Sequence, residues 1–234
     1  MGRHVPEASL VRVAVIDSGA NVPHPHVQRL AGGVAFDEEG REHDDYVDRL
    51  GHGTAVTAAI HQWAPTAALF AVKVFDRTLT SSVASLIAGI DWAASKGVTL
   101  VNLSLGTANP DHASALGAAV ARARTRGAVV IAAGENNGVR WLPGTLEHVI
   151  RVELDWDCPR GTFTFATDRD GAPVFRASGY PRPIPGVKPP NNLKGLSFSV
   201  ANMTGLAAKV LEQTGVLDYD ELVTQLKKAT LHAQ

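Results

Sequence analysis

Three side chains of this sequence could together turn a hydroxyl group into a nucleophile. Asp17 follows the apolar run VRVAVI, His52 lies between glycines in GHGTAVTAAI, and Ser197 lies in GLSFSVANMTG. A serine hydroxyl attacks only when a histidine accepts its proton, and the histidine needs a carboxylate to fix its tautomer and stabilise its charged form. These residues predict nucleophilic catalysis, with Ser197 as nucleophile, His52 as base and Asp17 as the group that orients it.

Each of these residues also has a purely structural interpretation. Asp17 could cap a turn, His52 could be a structural histidine, and Ser197 could cap a helix. Ser199 is a competing hydroxyl, although it would lie on a different side of the same helix. The order Asp, His, Ser along the chain favours catalysis, because it is one of the orders in which such triads occur.

Apolar runs alternate with helical spacing along the chain. Buried strands are predicted at 11–16, 68–75, 98–105, 128–133 and 148–153, with a hairpin at 161–176. Helices are predicted from His52 onward and at 81–95, 111–126, 197–213 and 219–230. The alternation predicts an α/β fold, a three-layer α/β/α sandwich with a mostly parallel sheet. Irregular structure is expected at 18–51, and a surface loop at the proline-rich 179–192.

The predicted strands lead directly into candidate functional residues. Asp17, Ser104 and Asn136 each follow a strand. The carboxyl ends of parallel strands meet at one edge of a sheet, and functional groups collect there. We therefore expect these three loops to be neighbours.

Composition limits the possible partners and the compartment. The 234 residues suffice for one domain, 1–234, and no linker or propeptide is evident. A formal net charge of -1 gives no reason to expect nucleic acid or an anionic membrane as partner. The one cysteine, Cys158, allows no intramolecular disulfide and is interpreted as structural. Because neither a signal peptide at Met1–His4 nor a spanning apolar run is seen, a cytoplasmic location is expected; the oligomeric state stays open.

Several motifs occur together in one order. DSG at 17–19 precedes HP at 24–25, GHGT follows at 51–54, and GLSFSVANMTG surrounds the candidate nucleophile. In these motifs the chain resembles the subtilisin-like serine protease (subtilase) family, from about Val11 to Leu211. The family usually has Thr where Leu196 stands and Pro where Ala201 stands.

The resemblance implies a subtilisin-like fold and a serine endopeptidase that acts through an acyl-enzyme on Ser197, without a cofactor. The expected partner is a peptide or protein substrate, and an intracellular processing role with restricted substrates is favoured. The departures at Leu196 and Ala201 keep open a catalytically weak or inactive peptide-binding module. An esterase would use the same three residues.

The resemblance also implies the substrate edge and the oxyanion donor. An extended peptide would pair with the backbone at Ser104, Leu105 and Gly106. The family places an asparagine just after a strand, and within GAVVIAAGENNG at 127–138 we prefer Asn136. Its neighbours Glu135 and Asn137 remain alternatives, but a carboxylate would repel an oxyanion whereas an amide can donate to it.

No metal site is predicted. Calcium needs six to eight oxygen ligands, yet His26 stands where the family often has an acidic ligand, and the connection after the His52 helix is short. Three histidines are interpreted as surface residues: His24, His26 and His43. Three acidic residues are interpreted as a solvated loop or, alternatively, as a group that selects basic substrates: Asp44, Asp45 and Asp48.

Overall fold

The computed structural model describes residues 11–215 and 218–231. The predictions that concern Met1–His4, and the two ends of the predicted domain 1–234, lie outside the described residues. Among the described helices, none combines the length and apolar character that crossing a bilayer requires.

The described residues contain eleven strands. Their bounds are β1 Arg12–Asp17, β2 Gly32–Phe36, β3 Glu42–His43, β4 Ala68–Lys73, β5 Leu100–Leu103, β6 Val129–Ala133, β7 Glu135–Asn136, β8 Val139–Arg140, β9 Val149–Asp155, β10 Phe163–Thr167 and β11 Pro173–Ser178. Nine of them form one sheet in the order β10-β11-β9-β6-β5-β1-β4-β2-β3, and β7 pairs separately with β8. Neighbours from β11 to β2 are parallel, and only the outermost strands β10 and β3 are antiparallel. The predicted mostly parallel sheet is confirmed.

Helices cover both faces of this sheet. Their bounds are α1 His52–Trp63, α2 Val83–Ser95, α3 Ala113–Thr125, α4 Leu196–Thr214 and α5 Tyr219–Leu231. Successive side chains of a strand point to opposite faces. In β1, Val13 and Val15 accordingly pack in the core beneath α1, α4 and α5, whereas Ala14 and Ile16 pack in the core beneath α2 and α3. This arrangement confirms the three-layer α/β/α sandwich.

The segment predicted to be irregular, 18–51, contains two strands that the sequence did not indicate. β2 pairs parallel to β4, and the short β3 pairs antiparallel to β2. β2 begins with two glycines, which have low strand propensity, so pairing with β4 decides its conformation. The surface loop predicted at 179–192 is confirmed over 183–192, which is almost entirely exposed and has one short 3-10 turn, at Pro189–Asn191. The prediction is wrong for Gly179 and Pro181, which are buried.

The sheet order brings the candidate loops together. β6, β5 and β1 are adjacent and parallel, so Asp17, Ser104 and the β7 hairpin emerge at the same edge. α1 and α4 pack against each other on one face of the sheet. Their first turns, which carry His52 and Ser197, therefore reach the edge where β1 ends.

Candidate active site

Asp17 and His52 form a hydrogen-bonded pair. The Nδ1 atom of His52 lies 2.7 Å from Oδ1 of Asp17, whose side chain is fully buried. The same oxygen accepts a hydrogen bond from the Ser18 backbone N–H at 2.8 Å. With Asp17 ionised, the proton of the neutral imidazole lies on Nδ1, so Nε2 is free to accept another proton.

A buried carboxylate holds the first turn of α1. Asp48 accepts hydrogen bonds from the backbone N–H groups of Leu50, Gly51 and Thr54 and from the hydroxyls of Ser18 and Thr54. A negative charge at a helix N-terminus is stabilising because it pairs with the unsatisfied N–H groups there. Since Asp48 is only 5% exposed, the solvated-loop interpretation is wrong for this residue.

Close packing also joins α1 to the end of β1. The backbone N–H of Gly53 donates to Ser18 Oγ at 2.9 Å. A side chain at Gly53 would collide with the carbonyl group of Gly19. Glycine after His52 therefore lets the helix approach the Asp17 loop closely enough for the imidazole to meet the carboxylate.

The environment of His52 raises its pKa above the ordinary value of 6.5. Burial alone would lower the pKa, but the hydrogen bond to Asp17, the charge of Asp17 and the charge of Asp48 outweigh it. Burial likewise tends to raise the pKa of Asp48, and hydrogen bonds from Thr54, Ser18 and Gly51 lower it overall. The pKa shifts thus favour the charged form of both side chains, the imidazolium of His52 and the carboxylate of Asp48.

Ser197 is the second residue of α4, and the glycine before that helix makes a sharp entry. Gly195 has φ 138°, a conformation that other residues rarely adopt. The Ser197 hydroxyl donates to the Ser104 carbonyl oxygen at 3.2 Å. No hydrogen bond joins it to His52, although both described residues line one cavity. Rotation about χ1, an ordinary side-chain movement, would release the Ser197 hydroxyl from the Ser104 carbonyl oxygen.

A buried chain of polar groups ties α4 to the end of β5. Thr204 donates to Asn102 Oδ1 at 2.9 Å, and the Asn102 amide donates to Ser104 Oγ at 2.9 Å. Ser104 Oγ in turn donates to the Ser197 carbonyl oxygen at 3.3 Å. Asn102 and Thr204 are fully buried. These two residues fix the first turns of α4 against the predicted substrate edge. Sequence reasoning missed Asn102 because it lies within an apolar predicted strand, and it missed Thr204 because only the serines of the motif GLSFSVANMTG were considered.

The β7–β8 hairpin separates the three oxyanion candidates. Asn136 lines the cavity that contains Ser197, whereas the Glu135 carboxylate lies 3.6 Å from the guanidinium of Arg151. Asn137 is exposed in the turn, with φ 51°. Adjacent residues of a strand point to opposite sides, which explains why Glu135 and Asn136 diverge.

The cavity at Ser197 has a volume of about 280 Å³. Its lining includes all three residues of the predicted substrate edge, Ser104, Leu105 and Gly106. Trp141 forms another wall. The next residue, Leu142, exchanges two backbone hydrogen bonds with Thr107, at 2.8 and 3.0 Å. The cavity is therefore bounded by this chain segment just beyond Gly106.

The remaining sequence interpretations concern cysteine and metal ligands. Cys158 is buried, and burial raises the pKa of its thiol, which suits a structural role. The rings of His24 and His26 contact each other edge to face, while His43 lies in β3 at the sheet edge. Within 11–215 and 218–231, no group of three or more His, Cys, Asp or Glu residues is arranged to hold a metal ion. The absence of a metal site stays a prediction.

Comparison with known proteins identifies the family. A family model described as the subtilase family matches residues 9–156, more than half of the chain. The chain belongs to the subtilase family. Subtilases are serine proteases, the enzyme class that the sequence resemblance implied.

Individual subtilases match over different lengths. Subtilisin from Bacillus pumilus is 32% identical over 210 residues, which cover 85% of this chain and 73% of that protein. Subtilisin E from Bacillus subtilis (strain 168) is 39% identical over 139 residues, which cover 56% of this chain but only 35% of that protein. The solved structure of sphericase superimposes with a TM-score of 0.71 at 22% identity, over 94% of this chain and 83% of that one. The subtilisin-like fold is confirmed, and none of these similarities supports a non-catalytic module.

Proposed function

We propose that this subtilase is a serine endopeptidase that hydrolyses peptide bonds through an acyl-enzyme on Ser197. The observation that carries the proposal is the Asp17–His52 pair, joined at 2.7 Å, at a cavity that Ser197 also lines. Fluorogenic peptides of varied sequence, followed by mass spectrometry of the products, test it. Cleavage of internal amide bonds supports the proposal, and release of product only from ester substrates contradicts it.

In the proposed reaction, Ser197 Oγ forms a bond to the carbonyl carbon of the scissile peptide and gives its proton to His52 Nε2. The C–N bond then breaks as His52 passes that proton to the leaving amine, and the acyl group remains on Ser197. His52 next removes a proton from water, whose oxygen attacks the acyl carbon. Ser197 recovers the proton when the acid product leaves.

We propose that Asn136 and the Ser197 backbone N–H stabilise the negative oxygen of the tetrahedral intermediate. The N–H groups in the first turn of a helix have no intrahelical acceptor, so that of Ser197 is available. The lining of the cavity by Asn136 supports its choice over Glu135.

Replacing the proposed oxyanion donor has an expected kinetic signature. Asn136→Ala is expected to lower kcat by about 10²- to 10³-fold with little change in KM, since the amide is needed mainly in the transition state. Steady-state kinetics on one peptide measures this. Glu135→Gln is the matched control and is expected to change kcat less than about threefold, because its carboxylate faces Arg151. A larger loss in Glu135→Gln than in Asn136→Ala would reverse the assignment.

The pH dependence of kcat/KM follows from the pKa of His52. The base must be neutral to accept a proton, and its pKa is raised, so activity is expected to fall with decreasing pH around a midpoint above 6.5. Asp48→Asn removes a negative charge that raises this pKa, so it is expected to move the midpoint to lower pH. Asp44→Asn, an exposed residue of the same loop, is the control and should leave the midpoint unchanged. An upward shift in Asp48→Asn would contradict this account.

We further propose that an extended peptide pairs with Ser104, Leu105 and Gly106, and that 1–234 forms a single subtilisin-like peptidase domain. A processing role with restricted substrates is also part of the proposal. The Trp141 side chain on one wall of the cavity supports it, because a bulky group there limits the side chains that a substrate can place in the cavity. A cytoplasmic location is supported by the single cysteine in 234 residues.

A further inference from the structure

A second cavity, of about 510 Å³, lies beside the first turn of α1. It is lined on one side by Gly51, Thr54 and Ala55, and it shares no lining residue with the cavity at Ser197. The opposite wall belongs to the proline-rich loop, whose Arg182 lies among the lining residues. We refer to this site as the basic cavity.

The charged groups that line the basic cavity are all basic or potentially basic. They are Arg182, His24 and His26, and no Asp or Glu is among the lining residues. Arg182 is half-buried, and among the described residues its guanidinium makes one hydrogen bond, a long one of 3.5 Å, to the His26 carbonyl oxygen. No carboxylate in the described part of the chain comes within 4 Å of it. The loop 179–194 adds Lys188 and Lys194 and contains no acidic residue.

The charge of Arg182 also acts on its neighbours. Within the described part of the chain, Arg160 donates only to neutral groups, the Tyr180 carbonyl and the side chains of Gln62 and Asn202. Burial, and then the charge of Arg182, lower the pKa of Arg160 to about 10. A half-buried cation without a counter-ion is costly, so this region favours binding of an anion.

The basic cavity lies close to the residue that would protonate the leaving amine. Thr54 and Ala55 follow His52 by two and three residues, which is roughly 3–5 Å along the helix axis. An extended peptide advances about 3.3 Å per residue. A chain that departs from His52 would therefore reach this cavity within its first two or three residues.

We propose that the basic cavity binds a carboxylate of the substrate on the leaving-group side of the cut, with Arg182 as its partner. The inference rests on the proposed endopeptidase function. The carboxylate can be an acidic side chain within about three residues of the cut or a free C-terminus at that distance. The exposed Ile184 and Leu193 provide apolar walls for the rest of that segment.

Matched peptides test the proposal on the unmodified protein. All share the same residues before the cut and carry either Glu or Gln at the second and third positions after it, each with a free or amidated C-terminus. The Glu peptides or the free acids are expected to have kcat/KM values about 10-fold higher, as charge-assisted pairing with Arg predicts. The Glu-to-Gln comparison isolates the side chain and the acid-to-amide comparison isolates the terminus. Equal kcat/KM values in both comparisons would overturn the proposal.

Substitutions assign the effect to Arg182. Arg182→Gln is expected to reduce the preference to about one, and Arg182→Lys is expected to retain part of it. Lys188→Gln, at an exposed position of the same loop, is the control that keeps the preference. Thermal unfolding checks that each variant is folded. A preference that survives in folded Arg182→Gln would overturn the assignment.

A binding measurement separates this inference from the proposed function. Fluorescein-labelled peptides with the sequences of the leaving-group products, in Glu and Gln forms, are titrated with protein and followed by anisotropy. About 10-fold tighter binding of the Glu form, lost in Arg182→Gln, supports the basic cavity even if no peptide is cleaved. Equal affinities for the two forms would overturn it even if cleavage is observed.

Discussion

Ser197→Ala is expected to lower kcat for peptide hydrolysis by about 10⁶-fold, the scale known for loss of the nucleophile in subtilisin rather than a value obtained from this structure. Without the hydroxyl no acyl-enzyme forms, and only the oxyanion donors and substrate binding remain to accelerate attack by water. The affinity for peptide is expected to change little, because the hydrogen bond that Oγ makes among the described residues is to the Ser104 carbonyl of the protein itself. Steady-state kinetics and a peptide-binding titration on the same variant measure both quantities.

The neighbouring serine provides a matched control. Ser199 is fully buried in α4, and its hydroxyl has no hydrogen-bond partner among the described residues. Removing an unsatisfied buried hydroxyl is close to neutral or stabilising, so Ser199→Ala is expected to retain activity and unfold at an equal or higher temperature. A loss of activity in Ser199→Ala comparable with that in Ser197→Ala would contradict the choice of nucleophile.

Asp17→Asn is expected to lower kcat by about 10⁴-fold while leaving the fold intact. The Asp17 oxygen that pairs with His52 also accepts from Ser18, whereas the other carboxylate oxygen is buried and has no hydrogen-bond partner among the described residues. An asparagine that keeps its amide oxygen toward the ring and the Ser18 N–H is neutral, so it no longer stabilises the charged imidazole. One that turns its amide nitrogen there loses the Ser18 hydrogen bond and forces the ring proton onto Nε2, so the ring cannot accept the proton of Ser197.

A pH profile and a surface substitution make this prediction specific. Because Asp17 raises the pKa of His52, any residual activity of Asp17→Asn is expected to extend to lower pH than that of the unmodified protein. Asp45→Asn removes an exposed carboxylate that pairs with Arg49 at 2.8 Å, and it should change kcat less than about threefold. Asp17→Asn with more than a tenth of normal activity would contradict the proposed role of Asp17.

Short sequence patterns predicted the strands and helices whose formation depends mainly on neighbouring residues. The apolar run before Asp17 predicted β1, and β1 is central in the sheet, where both faces are buried. The motifs around His52 and Ser197 predicted the helices that begin there. Small residues after His52 indicate a helix that packs closely against its neighbours, and the glycine before Ser197 indicates a sharp turn into a helix.

Features that depend on distant contacts were not predictable in the same way. Asp48 looks like one member of an acidic run, yet folding buries it against Ser18, which is thirty residues earlier in the chain. The choice between Glu135 and Asn136 depends on a hairpin orientation and on Arg151, which comes from β9. Sequence spacing carries no information about these contacts.

The basic cavity also depends on contacts between distant parts of the chain, which the sequence did not predict. Arg182 lies in a loop whose prolines predicted only surface exposure. Arg182 is at least 127 residues away in sequence from the lining residues Gly51, Thr54 and Ala55. Its position opposite α1 is therefore known only from the folded structure.

Labelling with a fluorophosphonate, followed by mass spectrometry of the digested protein, tests the central claim most directly. The reagent reacts with a serine whose proton a neighbouring base removes and whose developing oxyanion is stabilised. We expect one adduct, on Ser197, that is absent in Ser197→Ala and in His52→Ala. An unlabelled native protein, or an adduct on another serine such as Ser199, would contradict the account.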